Sequence, residues 1–406
     1  MLALVPRSGY NSNVEHEPVG SAPGADDAAR LRRRLVDELR SAGRLDSPEV
    51  ARAMDTVPRD RFTPPGTELR DAYADRVVVL ATDRSGAPIS TVSQPAMVAL
   101  MLEQLDVRAG HRILEVGTGS GYNTALLAEL TGPGGHVTSI EVDDALLLGA
   151  AARLAELAPG EGTPLDLRRG DGWLGVPGNA PYDRLESTIG VDDIPPAWRE
   201  QLADGGLLVA PVWLRPGLEL SVAMRRAGPV LHSVSVTQCG FLQLRGPHGA
   251  DPHSRRLGSG LSVVGDGLTG KDVEIIRALA ETAGVDIGRV PGLTERRWWG
   301  VSLSDPRAVL FTGRYGTPVA WGIYEPDGPE GPGLAIGSDG TAVGHGDPIA
   351  AEILRHRLED APEVDPSRLT VTAFPAGHPV PPPPADGHSW RITRAHHRYR
   401  IHAPEE

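Results

Sequence analysis

The chain has 406 residues, enough for two domains, and an ordinary soluble-protein balance of 40% apolar and 23% charged residues. A formal charge of −13 excludes a general nucleic-acid or anionic-membrane surface, because both partners would be repelled. One cysteine, Cys239, excludes an internal disulfide and a cysteine-rich zinc site, and it fits a cytoplasmic protein.

Residues 1–27 are polar and rich in Gly, Ser and Pro, and predict a disordered tail without a signal peptide or membrane span. Residues 26–43 predict an amphipathic helix with Leu31, Leu35 and Leu39 stacked on one face. "SPEVARAMDTV" (47–57) predicts a second helix, with Ser47 as cap and Pro48 in the first turn. "TVSQPAMVALMLEQL" (91–105) predicts a third helix over 96–105, entered through Thr91, Ser93, Gln94 and Pro95. On one reading Ser93 and Pro95 only start that helix.

From residue 112 short apolar strands alternate with helices: "RILEV", "HVTSIEV", "LDLRRGDG", "YDRLEST" and "GGLLVAPV". That alternation implies an α/β, doubly wound parallel sheet covered on both faces. Two further β-rich segments end near Gly246, and 248–406 reads as a C-terminal α+β accessory domain with helices over 271–284 and 347–361. "PVPPPPADG" (379–387) reads as a stiff spacer. "RITRAHHRYRIH" (391–402) reads as a solvated strand face. Of Trp298 and Trp299, one is expected in the core and one at the surface.

The strand "RILEV" runs into Gly117-Thr118-Gly119-Ser120-Gly121 and then a helix, and a second strand ends at Glu141, twenty residues after Gly121. Glycines let the backbone turn sharply and approach a ligand, and an acid at Glu141 can accept from both hydroxyls of a ribose. Glu115, two residues ahead of the first glycine, suits a ligand with an ammonium group better than a pyrophosphate. Asp171 in "GDG" suits an adenine amino group. Together these features point to S-adenosylmethionine, against the plain reading of turn glycines and exposed acids.

"VPRDRFTP" (57–64), "AYADRVV" (72–78), "TVSQPAMVALMLEQL", "ILEVGTGSGYNTALLAEL" (113–130), "GDGW", "IPPAWREQLADGGLLVAPV" and "GFLQLRG" occur in this order. They resemble the protein-L-isoaspartate (D-aspartate) O-methyltransferase family over roughly residues 28–247, with 28–106 carrying the N-terminal helices and the substrate loop. The resemblance implies a Rossmann-like class I S-adenosylmethionine-dependent methyltransferase with a seven-stranded sheet. Its substrate would be a peptide or protein carrying Asp or isoAsp. By the same resemblance Glu115, Gly117, Thr118, Gly119, Gly121, Glu141, Asp171 and Gly172 bind the cofactor. Thr91 and Ser93 lie at the reacting carboxylate, with Gln94, Ser187, Thr188 and Ile189 beside the substrate. No metal is implied, and the oligomeric state is left open.

Three departures bear on the substrate. "STIGVDD" (187–193) stands where the family loop is small and alanine-rich, "ATDRSGAPIS" (81–90) is longer and more polar, and Gln243 replaces a proline. The C-terminal region resembles the extensions of actinobacterial relatives that tailor ribosomally made peptides such as lanthipeptides. There an aspartate is methylated and cyclised to an aspartimide. The expected function is that tailoring reaction. General isoaspartate repair and a non-catalytic peptide-binding scaffold are the alternatives.

Overall fold

The computed structural model describes residues 25–84, 86–249, 253–258, 260–290, 294–313, 317–338 and 340–405. Most of the expected tail lies outside these residues, and Ala25 already opens the first helix.

In chain order, helices α1 (Ala25–Ser41), α2 (Pro48–Thr56) and α3 (Leu69–Ala72) precede a two-stranded antiparallel ribbon, β1 (Val78–Thr82) and β2 (Pro88–Val92). On α1, Leu35 and Leu39 are buried and Leu31 packs against them, as the four-residue spacing requires. Ser47 caps α2, its hydroxyl accepting from Val50 N–H. Helix α4 (Pro95–Leu105) follows the ribbon.

The alternating region then gives β3 (Arg112–Val116), α5 (Tyr122–Thr131), β4 (His136–Glu141), α6 (Asp144–Leu157), β5 (Leu165–Arg169), β6 (Tyr182–Ser187), α7 (Pro196–Gln201), β7 (Leu202–Arg215), β8 (Leu218–Ala227) and β9 (Val230–Gln238). Strand β3 pairs in parallel with β4 and β6, β4 with β5, and β6 with β7. The apolar side chains of β3, β4, β6 and β7 are buried, as strands covered on both faces require, while Leu165 and Leu167 of the edge strand β5 are half-buried.

The next stretch holds β10 (Ser254–Gly258), β11 (Leu261–Gly265), α8 (Gly270–Glu281), β12 (Val285–Arg289), α9 (Glu295–Ser304), β13 (Ala308–Thr312), β14 (Pro318–Gly328), β15 (Gly331–Ser338), β16 (Thr341–Gly346) and α10 (Ile349–Asp360). Its seven strands form one sheet in the order β10-β11-β13-β14-β15-β16-β12, antiparallel throughout. Val263, Ile276, Val309 and Leu334 lie in its core. Trp298 and Trp299 are both buried, against the expectation that one is exposed.

The chain ends in β17 (Thr370–Pro375), β18 (His388–Thr393) and β19 (His397–Ala403). These strands correct the expected division at residue 248. The compact units are Pro252–Glu363 with Arg215–Gly217, and Ala25–Leu214 with Leu218–Asp251 and Val364–Glu406. The C-terminal strands thus rejoin the first sheet, which runs β18-β19-β17-β9-β8-β7-β6-β3-β4-β5: the expected seven strands from β9 to β5, with three added at the β9 edge. The physical reason is the edge of β9, whose free backbone groups are met by β17 at Thr372↔His232 and Ala373↔Leu231. The segment 379–387 is therefore the connection inside this C-terminal addition, where Arg400 Nη1 donates to the Pro382 carbonyl at 3.1 Å.

Candidate active site

The glycine loop joins β3 to α5 at the C-terminal end of the parallel strands, where open α/β sheets bind ligands. Gly117 and Gly119 have φ of +98° and +53°, a region that L side chains rarely adopt. A Cβ on Gly117 would lie 2.5 Å from Thr188 Oγ1, so a side chain there would collide with the loop after β6. Glu141, at the end of β4, accepts from the N–H groups of Gly119 at 2.9 Å, Val142 at 3.0 Å and Asp143 at 3.1 Å. Its carboxylate is thereby fixed against the glycine loop.

Other members of the expected cofactor set lie beneath the loop. Glu115 is fully enclosed and its carboxylate accepts from Asn123 Nδ2 at 3.0 Å and from the Thr124 and Ser139 hydroxyls at 2.5 Å. Its carboxylate thus ties the end of β3 to α5 and β4 around the glycine loop. Asn123 also donates to Glu186 Oε2 at 2.8 Å, linking two buried carboxyls. Burial pushes Glu115 up to about 7, against the hydrogen bonds that lower it. Burial and then the nearby Glu115 charge push Glu186 to about 8. Thr118 shares a 2.6 Å hydrogen bond with Ser139. Gly121 admits Ala150 and Leu154 of α6, and Gly172 packs on Val116. Thr118, Gly121 and Gly172 thus each take part in packing around the loop.

Asp171 is only 8% exposed at its side chain. It accepts from Trp173 N–H at 2.9 Å and faces His248 Nδ1 at 2.7 Å. A carboxylate has room for a further donor, so an amino group remains acceptable there. Trp173 stacks on His248 at 5.9 Å between centroids.

Ser90 and the Thr91 backbone lie beside Gly119: a Cβ on Gly119 would be 3.5 Å from Ser90 Oγ and 4.0 Å from the Thr91 carbonyl. Ser90 was not singled out from the sequence, although strand alternation places it opposite Thr91. Ser93 does not cap α4. The cap position is Gln94, without a side-chain cap bond, and Asp75 supplies the acceptor to Ala96 N–H at 2.8 Å. Asp75 also accepts from Gln94 Nε2 at 3.0 Å, so Gln94 is tied to the N-terminal region.

Arg59 is the buried post behind this strand. Its Nε donates to the Ala72 carbonyl at 2.8 Å, and Nη2 reaches the carbonyls of Arg76 at 3.3 Å and Val92 at 3.4 Å. The guanidinium lies 5.2 Å from the Tyr122 ring centroid, at the start of α5.

On the far side, Thr188 Oγ1 donates to the Gly117 carbonyl at 2.7 Å, and Ser187 Oγ donates to the Ile189 carbonyl at 2.7 Å. Gly190 N–H donates to the Leu242 carbonyl at 2.8 Å and its carbonyl accepts from Leu244 N–H at 2.9 Å. Gln243 Nε2 donates to Glu219 at 3.3 Å, and burial raises the Glu219 carboxyl to about 8.

The basic C-terminal segment joins this wall. His397 is fully buried, with Nδ1 3.0 Å from Asp193 Oδ1, which corrects its reading as a solvated face. That pairing is a long-range one that no local sequence signal announces.

The residues present fit S-adenosylmethionine. Gly117 and Gly119 keep the loop free of side chains at positive φ, and the Glu141 carboxylate lies against its backbone at Gly119 N–H. Asp171 stands at the end of the neighbouring strand.

The family model described as protein-L-isoaspartate(D-aspartate) O-methyltransferase matches residues 30–248. A protein-L-isoaspartate O-methyltransferase of Methanopyrus kandleri is 39% identical over 221 residues, which is 54% of this chain and 93% of that protein. Protein-L-isoaspartate O-methyltransferase 1 of Rhodopseudomonas palustris is 41% identical over 207 residues, 50% of this chain and 76% of that protein. A solved structure of a protein-L-isoaspartate O-methyltransferase shares the fold at TM-score 0.50 and 24% identity, covering 86% of this chain and 98% of its own. The chain belongs to the protein-L-isoaspartate(D-aspartate) O-methyltransferase family and is an S-adenosylmethionine-dependent methyltransferase.

Proposed function

We propose that the methyl acceptor is the carboxylate of an aspartyl or isoaspartyl residue in a peptide, and that the ester closes to a succinimide. The observation that supports this reading is hydroxyl-bearing chain against the glycine loop: Ser90 beside Gly119 and Thr188 bonded to the Gly117 carbonyl.

A carboxylate has an ordinary pKa of about 4, so at neutral pH it is already ionised and needs no strong base. S-adenosylmethionine, when bound, supplies a methyl group activated by its sulfonium. The chain's task is to orient the carboxylate and exclude water, and orientation is worth on the order of 7–11 kcal/mol for well-placed reactants. Thr91 and Ser93 donate single hydroxyl bonds, which align an oxygen without the ground-state stabilisation of a Lys or Arg clamp. Glu141 would hold the cofactor's ribose end, while Glu115, Asn123 and Thr124 tie the glycine loop to β3 and α5. In the ester product the following backbone nitrogen attacks the carbonyl carbon. An N–C bond forms, the C–O bond breaks, and methanol leaves with the nitrogen's proton. Water then opens the imide to aspartate or isoaspartate.

For the source of the peptide, we infer a dedicated cytoplasmic substrate, a ribosomally made peptide in maturation. The support is the polar loop 187–193, which carries Asp193 in place of the small residues of the family pattern. General repair is the second reading. It is favoured by relatives of that name at 39% and 41% identity. A competition between a short generic isoaspartyl peptide and a ring-constrained Asp peptide separates them. Preference for the constrained peptide supports tailoring, and turnover of the generic peptide alone supports repair.

A further inference from the structure

The wall formed by 187–196 is tied down at three places. Thr188 holds the first loop glycine and Gly190 is paired with Leu242 and Leu244. The third tie comes from the end of the chain, outside the residues 30–248 that the family model matches. His396 N–H donates to Asp193 Oδ2 at 2.6 Å, across 203 positions of sequence. The Tyr399 hydroxyl donates to Asp193 Oδ1 at 2.8 Å, and its oxygen accepts from Ile194 N–H at 2.7 Å. Arg199 Nη1 lies 3.2 Å from His397 Nε2. A guanidinium can only donate, so Nε2 accepts, and the ring proton sits on Nδ1 and is donated to Asp193.

Asp193, His397 and Tyr399 are all buried. A buried carboxylate is tolerated only when donors satisfy it, and here three converge on one side chain. The ladder from β9 to β17 and β19 already secures the C-terminal strands to the sheet, so the Asp193 bonds are additional and act on the loop. The same turn places the His396 ring 5.5 Å from Trp173, two positions after Asp171. One turn of chain thus touches both the expected substrate wall and the expected cofactor end.

We propose that Tyr399, His397 and Asp193 form a positioning clamp that sets the geometry of 187–196, making the last strand of the chain a working part of the methyltransferase site. This rests on the reading of 187–196 as the substrate-side wall. Tyr399→Phe removes one hydroxyl and keeps the ring. Ile392→Ala, in β18, loosens the same C-terminal strands without removing any bond to Asp193 or Ile194. Asp193→Asn keeps one acceptor and serves should Tyr399→Phe fold poorly.

Hydrogen exchange on the full chain is expected to show peptide 187–196 exchanging about tenfold faster in Tyr399→Phe, the loss of one bond in a charged network. With an isoaspartyl peptide, kcat/KM falls by a similar factor while the Kd for S-adenosylhomocysteine is unchanged. Asp193→Asn falls in between. Ile392→Ala lowers the melting temperature but keeps kcat/KM at temperatures where it is folded. Unchanged exchange at Ile194 in Tyr399→Phe overturns the clamp whatever the substrate, as does an equal loss of kcat/KM in Ile392→Ala. Absence of methyl transfer by the wild type contradicts the substrate reading instead, and the exchange result still decides the clamp.

Discussion

At the scale of single residues, the sharpest separation is between Ser93 and Asp75. Because Asp75 and not Ser93 satisfies the N-terminus of α4, the hydroxyl of Ser93 is not needed for folding. Ser93→Ala is expected to lower kcat with little change in melting temperature or in S-adenosylhomocysteine affinity, measured by turnover, thermal denaturation and calorimetry. Asp75→Ala should do the opposite and cost about 0.5–2 kcal/mol of stability, the usual worth of a cap. The buried carboxyls give a pH signature. Glu115 and Glu186 titrate at about 7 and about 8 in the folded chain, above the ordinary 4.5. Between pH 4.5 and 8 the folded state therefore holds protons that the unfolded state has released. The contribution of these groups to stability is full at low pH and is lost as pH rises through the folded values. Glu186→Gln keeps an acceptor for Asn123 and removes one titration. Its melting temperature should gain on the wild type as pH rises from 5 to 8, and a constant difference would refute the assignment.

At the scale of elements, the glycine loop was legible because its parts are local: strand, three glycines and helix follow one another, and Glu141 closes the next strand. What the motif could not give was depth. Glu115 and Gly121 belong to the same pattern as Gly119, yet one is enclosed by Asn123, Thr124 and Ser139 and the other by α6. Periodicity tells which face a residue takes, not which groups enclose it. Arg59 escaped notice for a similar reason. Its partners are backbone carbonyls of Ala72, Arg76 and Val92, which leave no complementary side chain to find. Arg59→Ala should leave these acceptors unpaired at about 1–3 kcal/mol each, a loss visible in denaturant unfolding. The strand carrying Ser90 and Thr91 would loosen with it.

At the scale of the whole molecule, the boundary expected at residue 248 follows from the end of the β-rich segments near Gly246. The chain does leave the first sheet near there, but it returns at Val364 to add β17, β18 and β19. Antiparallel pairing to the edge of β9 leaves no short-range signature, and the polyproline run at 379–384 reads as a linker although it lies between two strands of one sheet. Removing residues 364–406 should therefore expose the β9 edge and release Asp193 together. The truncated chain is expected to aggregate in size-exclusion chromatography and to lose turnover, whereas a truly separate accessory domain would be lost without either effect.

No helix among the described residues is long and apolar enough to cross a membrane. The proposed reaction is chemically specific: a carboxylate is esterified and the ester is then consumed by the peptide's own backbone. Mass spectrometry of an isoaspartyl peptide incubated with the full chain and S-adenosylmethionine tests this most directly. The account predicts a transient gain of one methyl group, followed by loss of methanol to leave the succinimide. A stable methyl group on nitrogen or on another side chain, or no transfer by a chain that binds the cofactor, would contradict it.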